Sequence, residues 1–194
     1  MTSKTMVTVA DKLKMAETTG LKFPHYTNTN DPIDFPKSNS MLKHAKGNLI
    51  DMAEQGQFDI IVQGCNCFCK MGSGIAKEIR ARYPEAWEAD YETEMGDMMK
   101  LGSWTSAKPK DFIIVNAYTQ YDTSKNGEDV FEYASFEVIL KKLAHAYPKL
   151  NFGFPYIGMG LARGNSDTIM EMLEHFAAKV SATGGSATLV EFGG

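Results

Sequence analysis

The chain has 194 residues, 43% of them hydrophobic and 23% charged, and a formal net charge of -4. That length suits one domain with a decorated sheet and several helices, while an acidic balance without any Lys/Arg block argues against broad nucleic-acid binding through phosphate contacts. No apolar run approaches the ~20 residues needed to span a bilayer and Met1 to Gly20 lacks the apolar core of a secretory signal, so the expectation is a cytoplasmic chain with no membrane partner.

Residues 1–40 are rich in Thr, Lys, Asn and Pro, and Asp31-Pro32 and Phe35-Pro36 fit an irregular arm better than a helix. The arm either lies over the domain through Phe23, Tyr26 and Phe35 or is partly disordered. Regular patterning starts at Met41, and residues 41–194 read as the domain proper. A short strand through His44 and Lys46 reaches Gly47-Asn48 and then a short helix near Leu49 to Gln55.

A buried strand is expected over Phe58 to Val62, followed by a polar loop holding Asn66 and a Gly-Ser-Gly turn at Gly72 to Gly74. Ile75, Ile79 and Tyr83 give the next helix an apolar stripe that Pro84 ends, and a further helix is expected over Glu85 to Glu94. Trp104 to Ala107 and Phe112 to Ala117 read as a hairpin about a Lys-Pro-Lys-Asp turn, and Tyr118 to Glu128 as a loop leaving the carboxyl end of a strand. Phe136, Ile139, Leu140, Leu143 and Tyr147 recur at helical spacing before Pro148. Phe152 to Phe154 leads into a second glycine loop, Gly158 to Gly164, and Ile169, Met172, Leu173, Phe176 and Val180 mark one more helix. Gly184-Gly185 breaks it, and Ala187 to Phe192 finishes as a strand. Alternating strands and helices make a layered α/β fold the economical reading.

Both glycine loops follow a strand and precede a helix. A helix start offers N–H groups without intrahelical partners and the positive end of the dipole, and glycine lets the backbone approach an anion closely. The first loop has neither the Walker A nor the Rossmann spacing, and the second is one residue longer than the Rossmann pattern. Each is open to reading as an ordinary tight turn; together, at one sheet edge, they are able to clasp a diphosphate from two sides. Asn66 likewise has two readings, a turn residue bonding its own backbone or an amide that reads a ribose hydroxyl pair. Cys65, Cys67 and Cys69 are too close for a disulfide framework and miss the two-residue gap of zinc knuckles, so they read as reduced, small apolar side chains. No metal ligand set and no cofactor requirement are visible.

Taken in order, Gly47-Asn48-Leu49-Ile50, FDIIVQGCNC, MGSGIAKEIRARYPEA, VNAYTQYD, FPYIGMGLARG and the terminal TLVEF resemble a macrodomain, over Lys43 to Phe192. Within that family the chain is most similar to the group of ADP-ribose 1″-phosphate phosphatase and terminal ADP-ribose glycohydrolase, and to bacterial and phage members. The resemblance implies a three-layer α/β/α sandwich with a mixed central sheet, binding ADP-ribose in a crevice at the sheet edge. By position it implies that Asn48 and Leu49 meet the adenine edge, with Phe192 stacking on its face, and that Asn66 contacts the distal ribose. Gly72, Ser73, Gly74 and Ile75 would line one side of the diphosphate, and Gly158, Met159, Gly160, Leu161 and Ala162 the other.

Several positions depart from the family's pattern. Asn48 stands where Asp is usual, Gln63 where the phosphatase and glycohydrolase relatives carry His, and Ala162 where the glycohydrolase has an essential Asp. Tyr118 to Tyr121 supplies no counterpart of that enzyme's lysine. In the second loop Arg163 offers a phosphate contact and Asn165 replaces a carboxylate. The resemblance therefore implies first a phosphatase acting on ADP-ribose 1″-phosphate through a water oriented by Asn66, with Asp122 as the base and His145 as a second, more weakly placed candidate. The alternatives are a hydrolase that frees ADP-ribose from protein or nucleic acid, and a reader that binds ADP-ribose without turnover.

Overall fold

The computed structural model describes residues 40–193, so the expected arm lies outside the described residues except for Ser40. Six strands form one sheet in the order β1-β6-β5-β2-β4-β3. They are β1 (Leu42–Gly47), β2 (Ile60–Asn66), β3 (Trp104–Ala107), β4 (Ile113–Gln120), β5 (Asn151–Phe154) and β6 (Ser186–Phe192). Every neighbouring pair is parallel except the β3–β4 hairpin, so the sheet is mixed.

The helices are α1 (Leu49–Glu54), α2 (Gly74–Arg82), α3 (Pro84–Tyr91), α4 (Tyr133–Ala146) and α5 (Ser166–Ser181). Successive strand residues face opposite sides of the sheet, which feeds two cores. Ile60, Val62, Val115 and Ala117 pack with Phe136, Ile139 and Leu143 of α4 and Ile169, Leu173 and Phe176 of α5. Ile61 and Ile114 pack on the other face with Leu49 and Ile50 of α1, Ile79 of α2 and Ala86 of α3. The result is the three-layer α/β/α arrangement. None of the described helices is long and apolar enough to cross a membrane.

Proline and asparagine set the local boundaries. Pro84 occupies the first turn of α3, where its missing N–H costs no helical bond, and Asn165 caps α5 by accepting from Thr168 N at 2.9 Å. Strand ends differ from the sequence expectation in an informative way. β2 starts at Ile60 rather than Phe58 and continues past Val62 to Asn66, and β4 continues past Ala117 to Gln120. Several of the extra residues are polar and part of that polarity is met inside the fold: Gln63 Nε2 donates to Asn116 Oδ1 on the neighbouring strand at 2.8 Å, and Tyr118 Oη donates to Asp90 Oδ1 of α3 at 2.7 Å, while Gln63 Oε1 and Thr119 Oγ1 are buried without a partner among the described residues. α3 ends at Tyr91, short of Glu94, and a 3-10 turn at Met98–Lys100 had no counterpart in the sequence reading.

Candidate functional site

The loops that leave β1, β2, β4 and β5, together with the end of β6, meet above the carboxyl ends of these parallel strands, where open α/β sheets hold ligands. They enclose two adjoining compartments that share Gly74, Ile75, Pro155, Tyr156 and Gly160. One, of about 580 Å³, lies between Gly47-Asn48-Leu49, Glu78, Val190 and Phe192. The other, of about 250 Å³, runs from those shared residues past Ser73, Leu161 and Ala162 to Asn66, Lys70, Gln120 and Thr123.

The walls of the second compartment are rich in backbone donors. α2 begins at Gly74, and the Ser73 side chain makes no cap hydrogen bond, which leaves the first N–H groups of the helix without that partner. Opposite them, the N–H groups of Gly158, Gly160 and Leu161 have no backbone partner among the described residues. Gly158 has φ +74°, and a Cβ there would collide with the Phe131 ring, so glycine is required at this turn. At Gly160 an added Cβ meets nothing within 4 Å, because the residue faces the open cleft.

The other compartment is apolar with aromatic edges. Leu49 and Val190 are buried, whereas Tyr156 and Phe192 are 46% and 69% exposed and stand at its rim. Among the described residues Glu78 supplies its only carboxylate. Its Oε1 accepts from Asn48 Nδ2 at 2.9 Å and from Arg82 at 3.0 Å, while Oε2 has no partner among the described residues.

The similarity to known proteins follows this geometry. The chain is 33% identical over 150 residues, covering 72% of this chain and 92% of its counterpart, to an uncharacterized 17.5 kDa protein of the tk-vs intergenic region of Enterobacteria phage T4. Among solved structures it superposes on the macrodomain of Mycobacterium tuberculosis DarG with a TM-score of 0.60 and 18% identity, over 78% of this chain and 97% of that one. It also matches a Trypanosoma brucei macrodomain solved in complex with ADP-ribose, with a TM-score of 0.56 and 12% identity, over 78% of this chain and 63% of that one. The chain belongs to the family of the phage protein, and its fold is the macrodomain fold. No protein-family model matches it.

Within this macrodomain most expected ligand positions line the cleft: Asn48, Leu49, Asn66, Ser73, Gly74, Ile75, Gly158, Gly160, Leu161, Ala162 and Phe192. Gly72 and Met159 do not. Gly72 lies on the exposed approach to α2, and Met159 packs against the larger core. Arg163 is exposed and outside the lining, and Asn165 is occupied as a helix cap.

The roles of two asparagines change. Asn48 Oδ1 accepts from Ile50 N and Asp51 N as the cap of α1, so both lone pairs are already used and an incoming amine finds no acceptor there. Asn66 closes its own loop: Oδ1 accepts from Phe68 N and Lys70 N, and Nδ2 donates to Lys70 O at 3.0 Å. The turn reading is therefore realised, yet one amide hydrogen of this cleft residue stays without a partner among the described residues.

Asp122 also differs from expectation. It does not line the cleft but a neighbouring depression, which meets the cleft at Thr123. Lys70 Nζ at 2.7 Å and Thr123 N, also at 2.7 Å, hold its carboxyl down at about 2, which makes it a poor base at neutral pH. His145 is exposed on α4 and is absent from the cleft, and Gln63 is buried in its pair with Asn116. The sequence reading missed Lys70, Glu78, Gln120, Thr123 and Tyr156. Lys70 sits four residues before the cleft glycine Gly74, Tyr156 two before Gly158, and Glu78 stands one helical turn beyond Gly74, spacings that carry the missing signal.

Proposed function

We propose that this protein binds ADP-ribose along the cleft and removes the terminal phosphate from ADP-ribose 1″-phosphate. The observation that carries the reading is the continuity of one apolar, aromatic-edged compartment with one lined by backbone donors. The adenine lies between Leu49, Val190, Tyr156 and Phe192, where burial and stacking favour it. The exocyclic amine finds its acceptor in the free oxygen of Glu78. The diphosphate lies between the start of α2 and the loop from Gly158 to Ala162, where oriented N–H groups replace its hydration without needing a basic side chain. The distal ribose reaches Asn66, whose free amide hydrogen addresses a hydroxyl.

Among the described residues no His, Asp or Glu lines the distal compartment, so hydrolysis relies on a water placed by Asn66 and by the ligand's own diphosphate. A second reading, release of ADP-ribose from a macromolecule, has one observation in its favour: the distal end opens at Thr123 into a further depression of about 440 Å³. Calorimetric titration with ADP-ribose, followed by a phosphate-release assay on the 1″-phosphate in the same sample, tests the proposal. Binding with release supports it. Binding without release, but with ADP-ribose freed from a modified protein or DNA, selects the second reading. Binding with neither product leaves a reader, and no binding rejects the cleft as an ADP-ribose site.

A further inference from the structure

The distal end of the cleft holds an ion pair that has no role in the binding scheme above. Lys70 is the only residue with a charged side chain among the described residues lining the compartment between Gly64 and Ala162, and its side chain is 51% exposed. Its amine lies 2.7 Å from Asp122 Oδ1 and 4.8 Å from the centre of the Phe68 ring. Asp122 Oδ2 faces a second ammonium, that of Lys125, at 3.6 Å. The Lys70 backbone is fixed at both its N–H and its carbonyl by Asn66, and the preceding Cys69 sits at φ 55°. The main chain is thus clamped while four methylenes and the amine reach along the exposed wall.

We infer that Lys70 recognises an anionic substituent on the distal ribose, with Asp122 acting as its resting counter-ion and competitor. The inference rests on the proposed orientation, which puts the base at Phe192 and the distal ribose at Asn66. An ion pair this exposed is weakened by solvent screening, so a lysine exchanges it readily for a better anion. A phosphate monoester carries close to two negative charges at neutral pH and three acceptor oxygens, against one charge on Asp122, so it wins the exchange. Lys125 keeps Asp122 paired after Lys70 leaves. The substrate class selected is a distal phosphate, and a cationic substituent is disfavoured.

The test compares two ligands by calorimetry, ADP-ribose and a non-hydrolysable phosphonate analogue of its 1″-phosphate. The wild type is expected to bind the phosphonate about tenfold more tightly, a preference that falls as salt rises. K70M is expected to bring the ratio close to one with the affinity for ADP-ribose unchanged, and K70R to restore most of it. D122N is expected to tighten phosphonate binding several-fold, because the competitor for the amine is gone; a base at this position would instead show turnover abolished with binding unchanged. An unchanged ratio in K70M, or a wild type that does not prefer the phosphonate, overturns the inference while ADP-ribose binding stands. Failure of ADP-ribose itself to bind overturns the cleft reading and this inference with it.

Discussion

Two glycines of the second loop, Gly158 and Gly160, lie two positions apart and have opposite roles. Gly158 combines φ +74° with the Phe131 ring directly where a Cβ would stand, whereas Gly160 has open space on that side. Gly158→Ala is expected to destabilise the fold by about 2 kcal/mol or more through backbone strain and overpacking, read as a lower urea midpoint. Gly160→Val is expected to keep the wild-type midpoint and to lose ADP-ribose binding at least about tenfold, because its side chain fills the passage between the two compartments. A Gly160→Val variant that binds normally would show that the ligand does not pass over this residue. Sequence spacing marked both glycines as one cradle. It could not tell them apart, since the difference lies in a ring contributed by a segment 27 residues earlier, at Phe131.

At the scale of elements, α1, α2 and the β3–β4 hairpin are joined by Glu54. Its carboxylate takes Lys110 at 2.8 Å, Arg82 at 2.9 Å and the Tyr83 hydroxyl, and these partners hold its pKa at about 2, below the ordinary 4.5. A carboxyl depressed in the folded state stabilises the protein fully above its unfolded value and loses that contribution as pH falls from about 4.5 towards 2. The urea midpoint of Glu54→Gln is therefore expected to lie below that of the wild type at pH 7 and to converge with it near pH 2. A gap that persists at pH 2 would assign the effect to packing rather than charge. The helices themselves were legible from apolar spacing, as Phe136, Ile139 and Leu143 or Ile169, Leu173 and Phe176 illustrate. The ends of β2 and β4 were not, because Gln63 and Tyr118 look like loop residues until their partners, Asn116 on the neighbouring strand and Asp90 on α3, are known.

For the molecule as a whole, the three cysteines report how tightly the first loop is held against the body. Cys65, Cys67 and Cys69 are unpaired and buried, and desolvation pushes the Cys67 thiol up to about 11 and the Cys65 thiol well above its ordinary value. Beneath the loop, the buried Lys100 amine donates to Cys67 O at 3.1 Å and to Cys69 Sγ at 3.4 Å, anchoring it from below. A thiol reagent at pH 7.5 is expected to label none of the three promptly in the native protein and all three in urea, since all three are buried and the thiolates of Cys65 and Cys67 are further disfavoured. Prompt labelling of Cys67 or Cys69 without denaturant would show that the loop carrying Asn66 and Lys70 opens separately from the fold.

What the sequence determined by itself was local and periodic: the apolar faces of the helices, the turns at its glycines and prolines, and the order of segments that resembles a macrodomain. Those properties reside within a few residues, so one chain read alone displays them. Tertiary structure decided which side chains remain free for a ligand. Asn48 is consumed by a helix cap and an ion-paired Glu78, Asp122 is silenced by Lys70, and Lys70 itself enters the cleft from a loop 52 residues away from that partner. Availability of a polar group depends on every neighbour within hydrogen-bond reach, and most of those neighbours are distant in the chain.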